Sequence, residues 1–168
     1  EIPGPACESL TEQGVLPVIK HIPGHGRAKT DSHFDLPVVD TDLETLKETD
    51  FKPFKALAEL SPWAMTAHLL YTAVDAKNPA SLSEKVIEGV IRGEIGFDGF
   101  LICDDLSMKA LSGSFSALTR QAIAAGCDAV LHCNGDMKEM KKIASAARPL
   151  TEKSWERYCR AQKLLTGD

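Results

Sequence analysis

The stretch KHIPGHGRAKTDSH, Lys20 to His33, places three of the chain's five histidines within fourteen residues, beside a lysine, an arginine and an aspartate. Four readings compete for that mixture. His21 and His25 stand four apart with Asp31 and His33 beyond, a donor set that would suit a metal. Pro23, Gly24 and Gly26, however, forbid the helix that puts i and i+4 histidines on one face. A phosphate cradle needs a glycine loop that opens into a helix, and no apolar helical stripe follows here. A plain surface loop would collect the same polar residues without using them. The fourth reading starts from Asp31 and His33, which alternate around Ser32. In extended backbone both side chains then point to one side. A carboxylate beside an imidazole fixes its tautomer and raises its basicity, so the pattern favours an acid/base dyad.

The second chemical spot is FLICDDLSM, Phe100 to Met108, where Asp104 and Asp105 emerge as an apolar run ends. Either could cap a short helix starting at Leu106. One could do so while the other serves as a nucleophile on an anomeric carbon, given a proton donor on the opposite side of the bond.

The elements that must position these groups repeat along the chain. Four apolar runs, at 14–22, 62–70, 98–106 and 127–134, read as strands. Helical patterns separate them: a short helix around Ala6 and Leu10 that stops at Gly14, then 40–57 with a cap at Thr41 or Asp42 and a restart at Pro53. Further helices follow at 81–96, with a cap at Ser81 or Ser83, at 115–125 and at 137–147. A last one spans 151–165, with Trp155, Tyr158 and Leu164 expected to face inward. Met108, Met137 and Met140 read as helix packing. Strands alternating with helices imply a parallel α/β sheet. In each unit the polar groups gather after the strand: Lys20-His21, Thr66-His68, Asp104-Asp105 and His132-Asn134. That distribution suits a (β/α)8 TIM-type barrel, whose site is assembled from several strand ends, better than an open sheet with one switch point. Four strands are half of eight, so the sequence predicts half a barrel, strands five to eight.

Composition narrows the function. The chain has 168 residues, a net charge of −5 and no basic footprint for nucleic acid. No apolar run reaches the ~20 residues of a membrane span. Five cysteines without a CxxC pair suggest free thiols in a reducing, cytoplasmic setting rather than a disulfide framework. The first residues, EIPGPACESL, lack an initiator Met and read like an internal start. His68 and Thr66 are equally readable as pocket lining or as satisfied core. His132 and Asn134 read as structural, and Trp63 as core rather than a sugar platform.

KHIPGHGRAKTDSH resembles the KH-[FI]-PGHG-x(4)-DSH signature of bacterial β-N-acetylglucosaminidases of glycoside hydrolase family three. LICDDLS resembles that family's strand-end motif, and AMTAH (64–68) and the LP…VD spacing (36–40) also match. The similarity runs from about Val15 to Cys133. It implies that residues 1–168 form the C-terminal half of the family's barrel domain. It also implies a retaining exo-β-N-acetylglucosaminidase acting on terminal GlcNAc of peptidoglycan fragments, with no metal or organic cofactor. Asp104 would be the nucleophile, His33 the general acid/base and Asp31 its orienting partner. Lys20 and His21 would bind sugar hydroxyls, and Asp105 would be a supporting carboxylate. Cys103 stands where the family usually has Ser or Thr. The N-terminal half, from the rest of a longer protein or from a second chain, would complete the barrel, since half of one exposes a sheet edge and its inner face. Two other readings stay open: a sugar-binding half-barrel without catalysis, and a metal-dependent hydrolase built on the histidine cluster.

Overall fold

The structure, a computed structural model, describes residues 3–28, 30 and 35–166. Its frame is a sheet of four parallel strands: β1 (Val18–Ile22), β3 (Trp63–Thr66), β5 (Phe100–Asp105) and β6 (Ala129–Leu131). They lie side by side in the order in which they occur along the chain. A doubly wound sheet would reverse its order at a switch point. Here the order runs straight through, as in the wall of a barrel. Two further short strands, β2 (Val38–Val39) and β4 (Leu70–Tyr71), pair with each other in parallel outside that sheet; the sequence patterns did not reveal this pair.

Register sets the two faces of the sheet. Ile19, Ala64 and Leu101 lie abreast, and with Cys103 they are buried in the main core. Val86, Ile87, Val90 and Ile91 of the helix Lys85–Glu94, and Leu118 and Ala122 of α4 (Phe115–Ala125), belong to the same core. The other face carries Val18, Lys20, Trp63, Met65 and Ile102, all at least partly exposed. It is the side a closed barrel would enclose.

Local chemistry explains the helix ends. Asp42 accepts the Thr45 amide at 2.9 Å and caps α2 (Leu43–Glu48). After a short break, Pro53 sits in the first turn of α3 (Lys52–Leu57), where a missing N–H costs nothing. The helix Lys85–Glu94 follows a 3-10 turn at Ala80–Leu82 and is wound wide. Its end shows an i to i+5 bond, the Ile95 amide donating to the Val90 carbonyl at 2.8 Å. α4 stops at Gly126, whose φ of 116° and approach to Ile87 and Glu88 leave no room for a Cβ. Asp136 caps α5 (Met137–Ala146). At the start of the chain α1 spans Pro3–Glu12. No helix among the described residues is long and apolar enough to cross a membrane.

Two packing expectations are corrected. In α6 (Glu152–Thr166) the inward stripe is Ser154, Arg157 and Ala161, while Trp155 and Leu164 are exposed. The reason is polar. Asp128, at the foot of β6, accepts bonds from Ser154 Oγ (2.6 Å) and Arg157 Nη1 (3.1 Å), and these fix which face of the helix turns in. Only Tyr158 of the three aromatic or aliphatic positions stays partly buried, against Trp63 and Phe100. Met137 and Met140 are likewise exposed, and Met108 lies in a turn rather than a helix.

Candidate functional site

Asp104 lies at the C-terminal end of β5 and is largely buried. Its Oδ1 accepts the Asp105 amide at 2.8 Å. Its own amide donates to Thr66 Oγ1 at the end of β3, 3.3 Å away. The second carboxylate oxygen, Oδ2, faces the Nε2 of His21 at 3.7 Å. Three neighbouring strand ends, those of β1, β3 and β5, therefore converge on one residue, Asp104.

His21 is held towards its neutral form. Burial lowers its pKa, Asp104 opposes that shift, and Lys20, His25 and His68 reinforce it. A neutral imidazole beside a carboxylate can offer one N–H and one lone pair to a polar ligand. Lys20 stands exposed at the edge of β1, close enough to act on His21 by charge. The Lys20–His21 and Ile22–Pro23 peptide bonds are both cis.

The Asp pair divides its work. Asp105 caps no helix. Its carboxylate accepts Ser107 N (3.0 Å), Ser107 Oγ (2.6 Å) and Cys133 N (3.1 Å), which ties the end of β5 to the end of β6. Burial pushes this carboxyl up, but the bonds from Ser107 and Cys133 win and hold it below its ordinary range. Cys103 points the other way, into the core. Contact with Cys127 and then burial push its thiol well up, so it is inert as a nucleophile.

His68 is satisfied core rather than pocket lining. It is fully buried, with Nε2 3.0 Å from the Asp105 carbonyl and Nδ1 2.6 Å from Ser81 Oγ. Burial lowers its pKa, against the pull of the Asp105 carbonyl and the two carboxylates. His132 and Asn134 both bond to Glu139 of α5, the structural role the sequence favoured.

Asp31 and His33, the expected dyad, lie outside the described residues, so their distance from Asp104 is not defined here. The chain on either side of them is well tied. Before them, Tyr71 Oη donates to the Gly24 carbonyl. Arg27 donates to Asp50 Oδ2 at 2.6 Å and to Thr49 Oγ1 at 3.0 Å. After them, the Leu70 amide donates to the Pro37 carbonyl and β2 joins β4. Tyr71, Arg27 and Asp50 escaped the sequence reading, because a tyrosine closing an apolar run looks like ordinary core. On the metal reading, His21 and His25 place their rings 5.6 Å apart. No group of three or more metal-ligating side chains occurs among the described residues.

A parallel α/β wall with a held carboxylate at the C-terminal strand ends is an arc of a (β/α)8 barrel. The chain belongs to the glycosyl hydrolase family 3 N-terminal domain family, whose pattern matches residues 3–164. It is 36% identical over 147 residues to a beta-hexosaminidase of Idiomarina loihiensis, covering 86% of this chain and 44% of that protein. Among solved structures, a family 3 β-N-acetylglucosaminidase of Paenibacillus sp. FPU-7 superposes with a TM-score of 0.81 at 35% identity. That match covers 97% of this chain and 33% of the other. NagZ of Neisseria gonorrhoeae, solved with N-trifluoroacetyl-D-glucosamine, gives 0.80 at 30% identity, over 95% of this chain and 48% of the other. The chain thus spans about two fifths of the length of the curated relatives it matches.

Proposed function

We propose that this chain is the C-terminal half, strands five to eight, of the barrel of a retaining exo-β-N-acetylglucosaminidase. The observation that supports it best is Asp104: one carboxylate oxygen is held by the next amide and the other is turned towards His21 at the strand ends. In the first step Asp104 attacks the anomeric carbon of a terminal β-linked GlcNAc while the bond to the leaving oxygen breaks. His33, oriented by Asp31, gives that oxygen its proton. In the second step neutral His33 takes a proton from water, which displaces Asp104 and restores the β configuration. His21 and Lys20 hold sugar hydroxyls beside the nucleophile. The chemistry calls for no metal or organic cofactor. The natural substrate in this reading is a GlcNAc-bearing fragment of peptidoglycan, recycled in the cytoplasm. Strands one to four complete the wall from a longer polypeptide or a second chain. The part-exposed inner face, the exposed Val18 at the edge of β1 and the length of the relatives support that.

The test is hydrolysis of p-nitrophenyl β-GlcNAc by the intact enzyme with a chelator present. Asp104→Ala is expected to abolish turnover, and turnover that survives it refutes the nucleophile. His33→Ala is expected to slow a substrate with a poor leaving group far more than the nitrophenyl one. Equal losses on both would remove His33 from the acid role.

A further inference from the structure

Thr66 and His68 leave the end of β3 two residues apart, and both reach the Asp104–Asp105 dipeptide of the neighbouring strand. Thr66 Oγ1 takes the amide of Asp104. The His68 ring takes the carbonyl of Asp105. Between those two fixed points lies the Asp105 N–H, the group that holds Asp104 Oδ1 at 2.8 Å. We propose that His68, held by Ser81, is a positioning residue for the nucleophile: by clamping the Asp105 carbonyl it fixes the backbone of Asp105, whose N–H, one peptide unit earlier, orients the Asp104 carboxylate. This rests on the glycosidase reading for its catalytic consequence, though not for its geometry.

The hydrogen-bond chemistry allows one arrangement for the neutral ring. A carbonyl only accepts, so Nε2 carries the proton and donates to Asp105. Nδ1 is then the acceptor, and Ser81 Oγ must be the donor across their 2.6 Å separation. Ser81 comes from the 3-10 turn Ala80–Leu82 and is itself fully buried. The ring is thus locked between two elements, with neither nitrogen left for water. Because His68 is 0% exposed, it cannot touch a sugar, and any effect on the reaction passes through the residues it contacts. The two clamps differ in strength: the Thr66 contact is a long 3.3 Å, so the imidazole is the firmer one.

Three variants and one spectrum test this. His68→Phe keeps the volume and removes both bonds. His68→Gln can restore an N–H donor near the Nε2 position. Ser81→Ala leaves the ring but not its lock. With p-nitrophenyl β-GlcNAc, His68→Phe is expected to lower kcat about 10- to 100-fold with KM nearly unchanged, the scale of a misplaced reacting group. His68→Gln should recover most of that loss and Ser81→Ala should fall between. Full kcat in His68→Phe, equal damage from Phe and Gln, or a rise in KM with kcat intact would each overturn the proposal. Should His68→Phe fail to fold, the Ser81→Ala kcat decides. Independently of turnover, 15N spectra of the wild-type protein should show His68 as the neutral tautomer protonated at Nε2 at pH 7. A proton on Nδ1, or an imidazolium, refutes the clamp. A wild type with that tautomer but no turnover would instead refute the glycosidase reading and leave the clamp standing.

Discussion

Asp128 shows how much one buried carboxylate can organise. It accepts the Leu101 amide at 2.8 Å, Arg92 Nη2 at 3.0 Å, and both Ser154 and Arg157 of α6. Arg92 spends its other terminal nitrogen on the carbonyls of Phe97 and Gly99, so the foot of β5, the Lys85–Glu94 helix and α6 meet there. Breaking such a site leaves Arg92 buried without a carboxylate, although Arg157 keeps Asp98; losing one partner of a buried ion pair typically costs about 3–5 kcal/mol. Asp128→Ala should therefore destabilise by about that amount in urea unfolding, with Asp128→Asn, which keeps an acceptor, costing less. The sequence offered little to predict this, because Cys127-Asp128-Ala129 looks like any strand start. The adjacent pair Asp104-Asp105 was legible as chemistry and as two carboxylates with separate tasks, yet not in what Asp105 holds together. That required knowing which carboxylate points towards β1 and which ties β5 to β6.

At the scale of elements, the four strands and most helices were readable because buried parallel strands and amphipathic helices leave strong patterns. What could not be read was anything set by a partner distant in sequence. β2 and β4 have two residues each and exist because residues 38–39 lie beside residues 70–71. α6 turned its polar stripe inward because Asp128 and Asp98 await Arg157 there. Tyr71 belongs to the same class. Its strand holds the chain at Val39 while its hydroxyl holds it at Gly24, so one residue ties the segment 25–37 at both ends. Tyr71→Phe leaves the buried Gly24 carbonyl without its donor, a loss of about 1–3 kcal/mol. The expected result is a matching drop in unfolding free energy, with amide exchange accelerated in residues 24–28 and unchanged in β5.

For the whole molecule, one buried imidazole, His68, and one half-buried, His21, set the acid limit. Burial lowers the pKa of both His21 and His68 in the folded state. The unfolded chain then binds more protons as pH drops through the ordinary histidine value of about 6.5. Stability is therefore full above that value and declines below it, by at most about 1.4 kcal/mol per pH unit for each histidine. The groups facing His68 are the Asp104 and Asp105 carboxylates and His21, and the two carboxylates soften the slope. Urea unfolding between pH 7.5 and 5 should show the decline, and His68→Gln should make it shallower. A slope of opposite sign would mean that the imidazoles are charged in the native protein. The barrel-type wall was visible in the sequence through the repeated placing of polar residues after each strand. The condition of its inner face needed coordinates.

Five unpaired thiols are distributed unevenly through this architecture. Cys7, Cys103 and Cys127 are buried, Cys159 is partly covered, and Cys133 is exposed. Cys133 also sits at the end of β6, its amide bound to Asp105 and its thiol pKa raised by partial burial and by the charges of Asp105 and Asp104. Nature has thus left a chemical handle in contact with Asp105, the neighbour of Asp104. A fluorophore attached there would need no engineered cysteine, and its attachment rate would itself be a gauge of the negative charge that the site holds.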